Sequence, residues 1–171
     1  MELWDIYDRQ RRTTGRFHVR GTPMGRGEYH LTAFVWVFNR QRELLLTRRA
    51  PEKEHYANCW AATGGAALVG ETSLQTVRRE LREETGAVAS ELIPLGPFYP
   101  TCAYSTEVIQ MFLARGLSFG ERELDEDEFL NVFRMPLREL VEKILNGEIP
   151  DAKTQAAALR AWCMLKEGKL S

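Results

Sequence analysis

Residues 64–86, which read GGAALVGETSLQTVRRELREETG, decide the fold. Thr72 and Gln75 stand at the spacing of a capping box, and Gly86 is a natural residue to end a helix in the left-handed conformation. We therefore predict a helix over residues 72–85 that follows a glycine-rich loop. Its apolar residues recur at the spacing of a helix that packs one face on the core; they are Leu74, Val77 and Leu81.

Three glutamates of this helix fall along one flank of the apolar stripe. Glu80 has like-charged neighbours three and four residues on, at Glu83 and Glu84, and each such pair costs roughly 0.2–0.5 kcal/mol. The arginines of the helix fall on the opposite flank of the wheel; they are Arg78, Arg79 and Arg82. A bound divalent cation would remove the repulsion, because Mg²⁺ prefers carboxylate oxygens. Taken alone, the glutamates also fit a solvated surface on which Arg79 and Glu83 form an ordinary ion pair.

The composition is that of an ordinary globular protein. The chain has 171 residues, 44% of them hydrophobic and 27% charged, and we expect one domain over residues 1–171. A net charge of −1 provides no basic field for stable nucleic acid binding. The sequence shows no signal peptide and no apolar run near the ~20 residues of a membrane span, so we expect no membrane partner. Three scattered cysteines predict buried free thiols and a reducing cytoplasm; they are Cys59, Cys102 and Cys163.

The rest of the chain predicts a mixed sheet with helices packed on it. Alternating residues indicate a β-hairpin over residues 3–20. Further strands are predicted over residues 30–38, 44–47, 60–63, 92–99, 107–114 and 129–133. Pro136 opens a helix that ends near Asn146, and Asp151 caps a last helix. The residues expected to bury that last helix are Ala152, Ala156, Leu159 and Cys163.

The fixed positions of the opening stretch resemble the Nudix box. They read Gly65-x5-Glu71-x7-Arg79-Glu80-Leu81-x-Glu83-Glu84-x-Gly86. The one departure is Ala87, which stands where the box has a larger apolar residue. The resemblance implies a Nudix-type α/β/α sandwich with a mixed sheet and an N-terminal β-hairpin. It also implies hydrolysis of a small-molecule diphosphate, typically a nucleoside diphosphate linked to another group, with Mg²⁺ or Mn²⁺.

The resemblance assigns roles to the residues of the box. The implied metal ligands are three carboxylates and a backbone carbonyl, those of Glu80, Glu83, Glu84 and Gly64. Glu71 and Arg79 would tie the loop to the helix, an orienting role. Gly65 and Gly86 would complete the structural part of the box. The implied reaction is attack of a metal-activated water on phosphorus.

The general base stays open between the box and distant loops. Within the box, Glu80 and Glu83 are the catalytic candidates. Glu107 is the first distal candidate, and a second group consists of Glu126, Asp127 and Glu128. An ordinary surface charge is the alternative interpretation of each distal carboxylate.

The substrate is not encoded in the box. Arg48, Arg49 and Lys53 suit phosphate groups, and Tyr104, like Tyr99, suits stacking on a base. Each of these side chains also fits a solvated or packed role. Nucleotide sugars, dinucleoside polyphosphates, oxidised nucleotides and non-nucleotide diphosphates therefore remain candidates. The hairpin residues Trp4 and Tyr7 permit a homodimer.

A second resemblance, through the first half of the chain, is to isopentenyl-diphosphate isomerase. That enzyme uses a cysteine on carbon and holds its metal with histidines. Here the matching cysteine position is Gly64 and the metal-histidine position is Ala66. The isomerase and a non-catalytic nucleotide-binding module are the alternative readings, and the complete carboxylate set favours the hydrolase over both. We interpret His30, which opens a strand without a partner at ligand spacing, as structural.

Overall fold

The computed structural model describes residues 2–49, 51, 57–101, 103, 106–120 and 130–170. Its strands are β1 Leu3–Tyr7, β2 Thr13–Val19, β3 Thr32–Phe38, β4 Glu43–Arg49, β5 Trp60–Ala61, β6 Thr63–Ala66, β7 Ala87–Phe98, β8 Ile109–Phe119 and β9 Leu130–Pro136. Its helices are α1 Ser73–Thr85, α2 Leu137–Leu145 and α3 Ala152–Lys166. Within these described ranges, no helix is both long enough and apolar enough to cross a bilayer.

A mixed seven-stranded sheet is organised around β3. One edge of β3 lies parallel to β8, which pairs in turn with β7. The other edge is shared, because the first half of β3 pairs with β6 and the second half with β4, both antiparallel. Strands β5 and β9 complete the sheet beside β4. This order brings the loop after β6 to the end of the sheet where β3 begins.

Alternating side chains of β3 build a separate core on each face of the sheet. Ala33, Val35 and Val37 are buried on the face that α1 covers with Val77 and Leu81. The other face carries the buried Trp36 and Phe38 and is covered by α2 and α3. A strand buried on both faces is apolar throughout, which explains the continuous apolar run over residues 33–38. The arrangement is the α/β/α sandwich that the family resemblance implied.

Helix α1 has the ends that the sequence predicted. The backbone N–H of Thr72 donates to Oε1 of Gln75 at 2.9 Å, and the Gln75 N–H donates to Oγ1 of Thr72 at 3.3 Å. This reciprocal pair is a capping box. At the other end, Gly86 has φ of 69° and donates its N–H to the carbonyl of Arg82. Local chemistry therefore fixes both ends of the helix.

The strands after α1 are longer than predicted. β7 starts at Ala87 rather than near residue 92, and β8 covers Ile109–Phe119 rather than residues 107–114. The two strands pair from Ala87 opposite Phe119 to Phe98 opposite Ile109. Cross-strand pairing thus extends them through polar and glycine-containing positions whose own preference for strand is weak. Because β8 begins at Ile109, Glu107 lies just before this strand and not within it.

The prediction for α3 was wrong about its buried face. Its buried residues are Thr154, Ala157, Ala158 and Ala161, whereas Ala152, Leu159 and Cys163 are exposed. Alanines occur on more than one face of this helix, so their spacing alone does not identify the packed side. The prediction that the cysteines are buried was also wrong, because Cys163 is exposed and Cys59 is half-buried. Cys102 lies outside the described residues.

Candidate functional site

Two glycines let the β6 backbone approach its neighbours closely. Gly64 has φ of 147°, and a Cβ there would overlap the carbonyl oxygen of Ala33 and lie 2.7 Å from Cα of Phe34. A Cβ on Gly65 would lie 2.6 Å from Oε1 of Glu80. The absence of a side chain at Gly64 therefore allows close approach of β3, and its absence at Gly65 allows the carboxylate of Glu80, on α1, to lie directly against the β6 backbone.

Arg79 lies at the centre of a network that joins the loop to the helix. Its Nε donates to Oε1 of Glu71 at 2.9 Å, and its Nη2 donates to the carbonyl of Ala66 at 3.0 Å. Its Nη1 donates to Oε2 of Glu83 at 2.9 Å and lies 3.0 Å from Oε1 of Glu80. The sequence placed Arg79 on the flank opposite the glutamates. Glu83, four residues on, is nevertheless a direct neighbour of Arg79 on the helix surface, and the long guanidinium side chain also reaches Glu80.

The charges of this network stabilise one another. Burial raises the pKa of Glu71, but hydrogen bonds from Arg79 and the Leu68 N–H outweigh it and leave the pKa below its ordinary value. Burial likewise opposes ionisation of Arg79, yet its hydrogen bond to Glu71 and the charge of Glu80 raise the pKa of Arg79 above its ordinary value. Both groups are therefore charged at neutral pH.

The three helix glutamates differ in exposure. Glu80 is 9% exposed and Glu84 is 5% exposed, while the side chain of Glu83 is 34% exposed. Within the described part of the chain, no three histidine, cysteine, aspartate or glutamate side chains converge on one metal-sized point. The predicted metal ligands are thus not gathered into a preformed cage, and Arg79 occupies the space between Glu80 and Glu83.

The same residues have the chemistry that a hard divalent cation requires. Glu80, Glu83 and Glu84 supply carboxylate oxygens from one helix, and Gly64 can supply a carbonyl oxygen. At Gly65 the lack of a side chain leaves room for the Glu80 carboxylate beside the backbone. The donor set is entirely oxygen, as Mg²⁺ and Mn²⁺ prefer, and we conclude that these residues fit such an ion.

The predicted substrate residues lie in several places. Arg48, in β4, donates from Nε to the carbonyl of Asn58 at 3.0 Å, and its guanidinium lies 5.4 Å from the ring centre of Trp60. These contacts attach the Arg48 side chain to the edge strand β5 and to the residues just before it. Arg49 is the last residue of β4, and Tyr99 is exposed. Lys53 and Tyr104 lie outside the described residues.

Glu107 lies at the same end of the sheet as the box. Gln110 of β8 is opposite Ala33 of β3, which is opposite Gly65 of β6. Glu107 precedes Gln110 by three residues and is exposed. The strand order therefore brings this distal candidate toward the loop end of β6. The second group, Glu126, Asp127 and Glu128, lies outside the described residues.

The N-terminal hairpin packs against the box loop, which the sequence did not indicate. Oδ2 of Asp5 accepts a hydrogen bond from the Gly70 N–H at 2.7 Å. The ring of Trp4 stacks on His30 with 4.4 Å between ring centres. Burial, followed by the charge of His18, lowers the pKa of His30. This packing agrees with the structural interpretation of His30. No local pattern could have revealed the Asp5 contact, because its partners are 65 residues apart.

Known proteins are similar to this chain in sequence and in fold. The ADP-ribose pyrophosphatase of Bacillus subtilis is 41% identical over 90 residues, which are 52% of this chain and 49% of that protein. The isopentenyl-diphosphate Delta-isomerase of Klebsiella pneumoniae is 31% identical over 121 residues, which are 67% of this chain and 62% of that protein. The chain spans about half the length of curated relatives that are 41–42% identical to it.

A solved structure and a family model extend the comparison to most of the chain. The structure of DR0079 from Deinococcus radiodurans has a TM-score of 0.69 and 23% identity, covering 94% of this chain and 99% of that one. At this identity the likeness shows the fold alone. The model of the NUDIX domain matches residues 28–160. Since that match includes most of the chain and the whole loop and helix described above, the protein belongs to the Nudix family.

Proposed function

We propose that this protein is a divalent-metal-dependent pyrophosphohydrolase that cleaves the diphosphate linkage of a small molecule. The observation that carries the proposal is the network around Arg79, which holds Glu71, Glu80 and Glu83 at one junction of loop and helix. A solvated helix face would not need a half-buried guanidinium shared among three carboxylates. The network lies within the residues that the family model matches.

The proposed metal ligands are Glu80, Glu83, Glu84 and the carbonyl of Gly64. A divalent cation held there would supply Lewis acidity, which would lower the pKa of water and neutralise charge on diphosphate oxygens. Glu83 pairs with Arg79 through Oε2 and retains Oε1 as a potential ligand. Arg79 holds Glu83 and Glu80 near one another despite their like charges, because its guanidinium lies within 3.0 Å of both carboxylates.

The proposed general base is a carboxylate near this network. Glu80 lies against the β6 backbone and pairs with Arg79. As the general base, it would therefore have to take the proton from a molecule bound directly at this network. Glu107 approaches from the neighbouring β8 and is exposed. A Glu107→Gln variant distinguishes them: loss of turnover with retained Mn²⁺ binding would assign the proton transfer to Glu107.

We propose a nucleoside diphosphate derivative as the substrate class. The relative from Bacillus subtilis carries the name ADP-ribose pyrophosphatase and matches half of this chain, which supports testing ADP-linked compounds first. Arg48, Arg49, Lys53 and Tyr104 remain candidates for substrate contacts. The relevant partner is thus a small diphosphate, and a homodimer remains a proposal.

The alternative hypothesis, that the protein is an isomerase, is supported by the Klebsiella pneumoniae relative, which matches two thirds of this chain. Its nucleophile, however, would have to stand at residue 64. Gly64 has φ of 147°, and a side chain there would overlap the Ala33 carbonyl oxygen. A cysteine at this position would therefore require a different path for β6. The hydrolase is the better account of this backbone.

The test is a product assay on the purified chain with Mg²⁺, with Mn²⁺ and with chelator. The panel comprises ADP-ribose, nucleotide sugars, dinucleoside polyphosphates, nucleoside triphosphates and isopentenyl diphosphate. Coupling to a phosphatase reveals new monophosphate ends, and chromatography detects isomerised diphosphate. We expect metal-dependent cleavage of an ADP-linked compound. Isomerisation without hydrolysis would support the alternative, and metal binding without either reaction would support a binding module.

A further inference from the structure

Four consecutive backbone N–H groups hold the loop between β6 and α1 in place. Those of residues 67–70 all donate hydrogen bonds. Their acceptors, in chain order, are the Leu31 carbonyl at 2.9 Å, Oε2 of Glu71 at 2.9 Å, the Leu3 carbonyl at 3.0 Å and Oδ2 of Asp5 at 2.7 Å. Two of the four acceptors belong to β1 of the N-terminal hairpin. The hairpin therefore contributes directly to the conformation of the loop.

Gly70 is the point at which the loop turns. Its φ of 81° lies in the left-handed region that favours glycine, and a Cβ there would meet no atom within 4 Å. Space alone therefore does not define this turn. Two hydrogen bonds stabilise it: the Glu71 N–H donates to the Leu68 carbonyl at 3.0 Å, and the Gly70 N–H donates to the carboxylate of Asp5, a stronger acceptor than a neutral group. Glu71 follows Gly70 directly, so the conformation of the turn also determines the position of the Glu71 backbone.

The hairpin is itself anchored beside the loop. Trp4 stacks on His30, and Tyr7 and Tyr29 exchange backbone hydrogen bonds of 2.8 and 3.1 Å. Ile6 of the same strand is only 4% exposed. These contacts attach β1 to residues 29–31, the segment that leads into β3. Asp5 thus projects from a fixed strand rather than from a loose terminus.

We propose that Asp5 is a positioning residue for the glutamate network, acting through the Gly70 N–H. The contacts run in sequence from Asp5 to Gly70, on to Glu71, and then to Arg79, which holds Glu80 and Glu83. Asp5 lies outside the residues that the family model matches. It is therefore a feature of this chain's hairpin rather than of the box. The inference rests on the proposed function for its catalytic consequence.

The test compares Asp5→Ala with Asp5→Asn, which keeps an oxygen acceptor for the Gly70 N–H. Glu2→Gln is the matched control, because Glu2 is another hairpin carboxylate and its side chain bonds Arg20 across the hairpin. The measurements are kcat and KM for ADP-ribose, Mn²⁺ binding by electron paramagnetic resonance, amide hydrogen exchange at Val69 and Gly70, and thermal unfolding. Exchange and Mn²⁺ binding do not depend on turnover.

We expect Asp5→Ala to lower kcat or Mn²⁺ affinity about tenfold, the range typical of residues that orient metal ligands. KM should change little, Gly70 exchange should accelerate, and Asp5→Asn should recover most of the loss. Wild-type behaviour of Asp5→Ala in all assays would overturn the proposal. So would a loss that Asp5→Asn shares fully or that Glu2→Gln reproduces. If the wild type hydrolyses nothing, the proposed function fails, while exchange and Mn²⁺ binding still decide the role of Asp5.

Discussion

Arg79 contacts both carboxylate oxygens of Glu71, with Nε 2.9 Å from Oε1 and Nη2 3.2 Å from Oε2. The two residues are eight positions apart, so the pair joins the end of the loop to the middle of α1. Such bidentate geometry requires the planar fork of a guanidinium. The same guanidinium also bonds the Ala66 carbonyl and Glu83. One arginine thus fixes the loop, the helix and a proposed metal ligand.

Arg79→Lys should therefore lower turnover about tenfold or more, although it preserves the charge. A lysine has one ammonium group, which cannot bond Glu71, the Ala66 carbonyl and Glu83 in their present positions. The measurement is kcat on the best diphosphate of the panel, with thermal unfolding in parallel. Arg78→Lys is the control, because Arg78 is the neighbouring arginine and is exposed. Equal activity of the two variants would contradict the proposed role of Arg79.

Gly65→Ala should reduce activity and Mn²⁺ affinity while leaving the fold intact. The added Cβ would lie 2.6 Å from Oε1 of Glu80, and the end of a glutamate side chain can move away without disturbing the backbone. We expect a displaced carboxylate, with about a tenfold loss. Gly120→Ala is the control, since its Cβ would meet only the Gly86 carbonyl oxygen, at 3.9 Å. Unfolding of Gly65→Ala at much lower temperature would indicate a packing role instead.

Glu84→Gln should abolish turnover and leave the fold stable. The change removes one negative charge from a buried side chain whose neighbour four residues earlier on the helix, Glu80, carries the same charge, so folding should not suffer. A metal ligand, in contrast, would lose its charge. Activity and thermal unfolding are measured together, with Glu139→Gln on the exposed first turn of α2 as control. Full activity of Glu84→Gln would exclude Glu84 as an essential ligand.

The features that could be read from the sequence are those set by neighbours in the chain. Thr72, Gln75 and Gly86 define the ends of α1 by hydrogen bonds that span only a few residues. The continuous apolar run of β3 likewise follows from burial on both faces of the sheet. The resemblance to the Nudix box further indicated the family, which the match to the NUDIX domain model confirms. These parts of the fold and site needed no tertiary information.

The features that the sequence did not predict depend on how far a side chain extends, or on contacts between residues that are distant in the chain. A helical wheel gives the direction of each Cβ, whereas the guanidinium of Arg79 extends several bonds further and reaches Glu80 and, in the preceding loop, the Ala66 carbonyl. In α3, the buried Ala157 and Ala158 are no more apolar than the exposed Ala152. The contact between Asp5 and Gly70 follows from hairpin docking, which no periodicity encodes.

The hairpin should loosen when the pH falls below about 6.5, the ordinary pKa of histidine. The pKa of His30 is lowered by burial and by His18, so the unfolded chain binds the proton more readily than the folded one. This contribution to stability is present above the unfolded pKa and is lost as the pH falls toward the folded pKa. His30→Phe retains a ring to stack on Trp4 but cannot titrate. Thermal unfolding of both proteins between about pH 7.5 and 5.0 should show a steeper loss for the wild type, whereas parallel curves would mean that another group controls the transition.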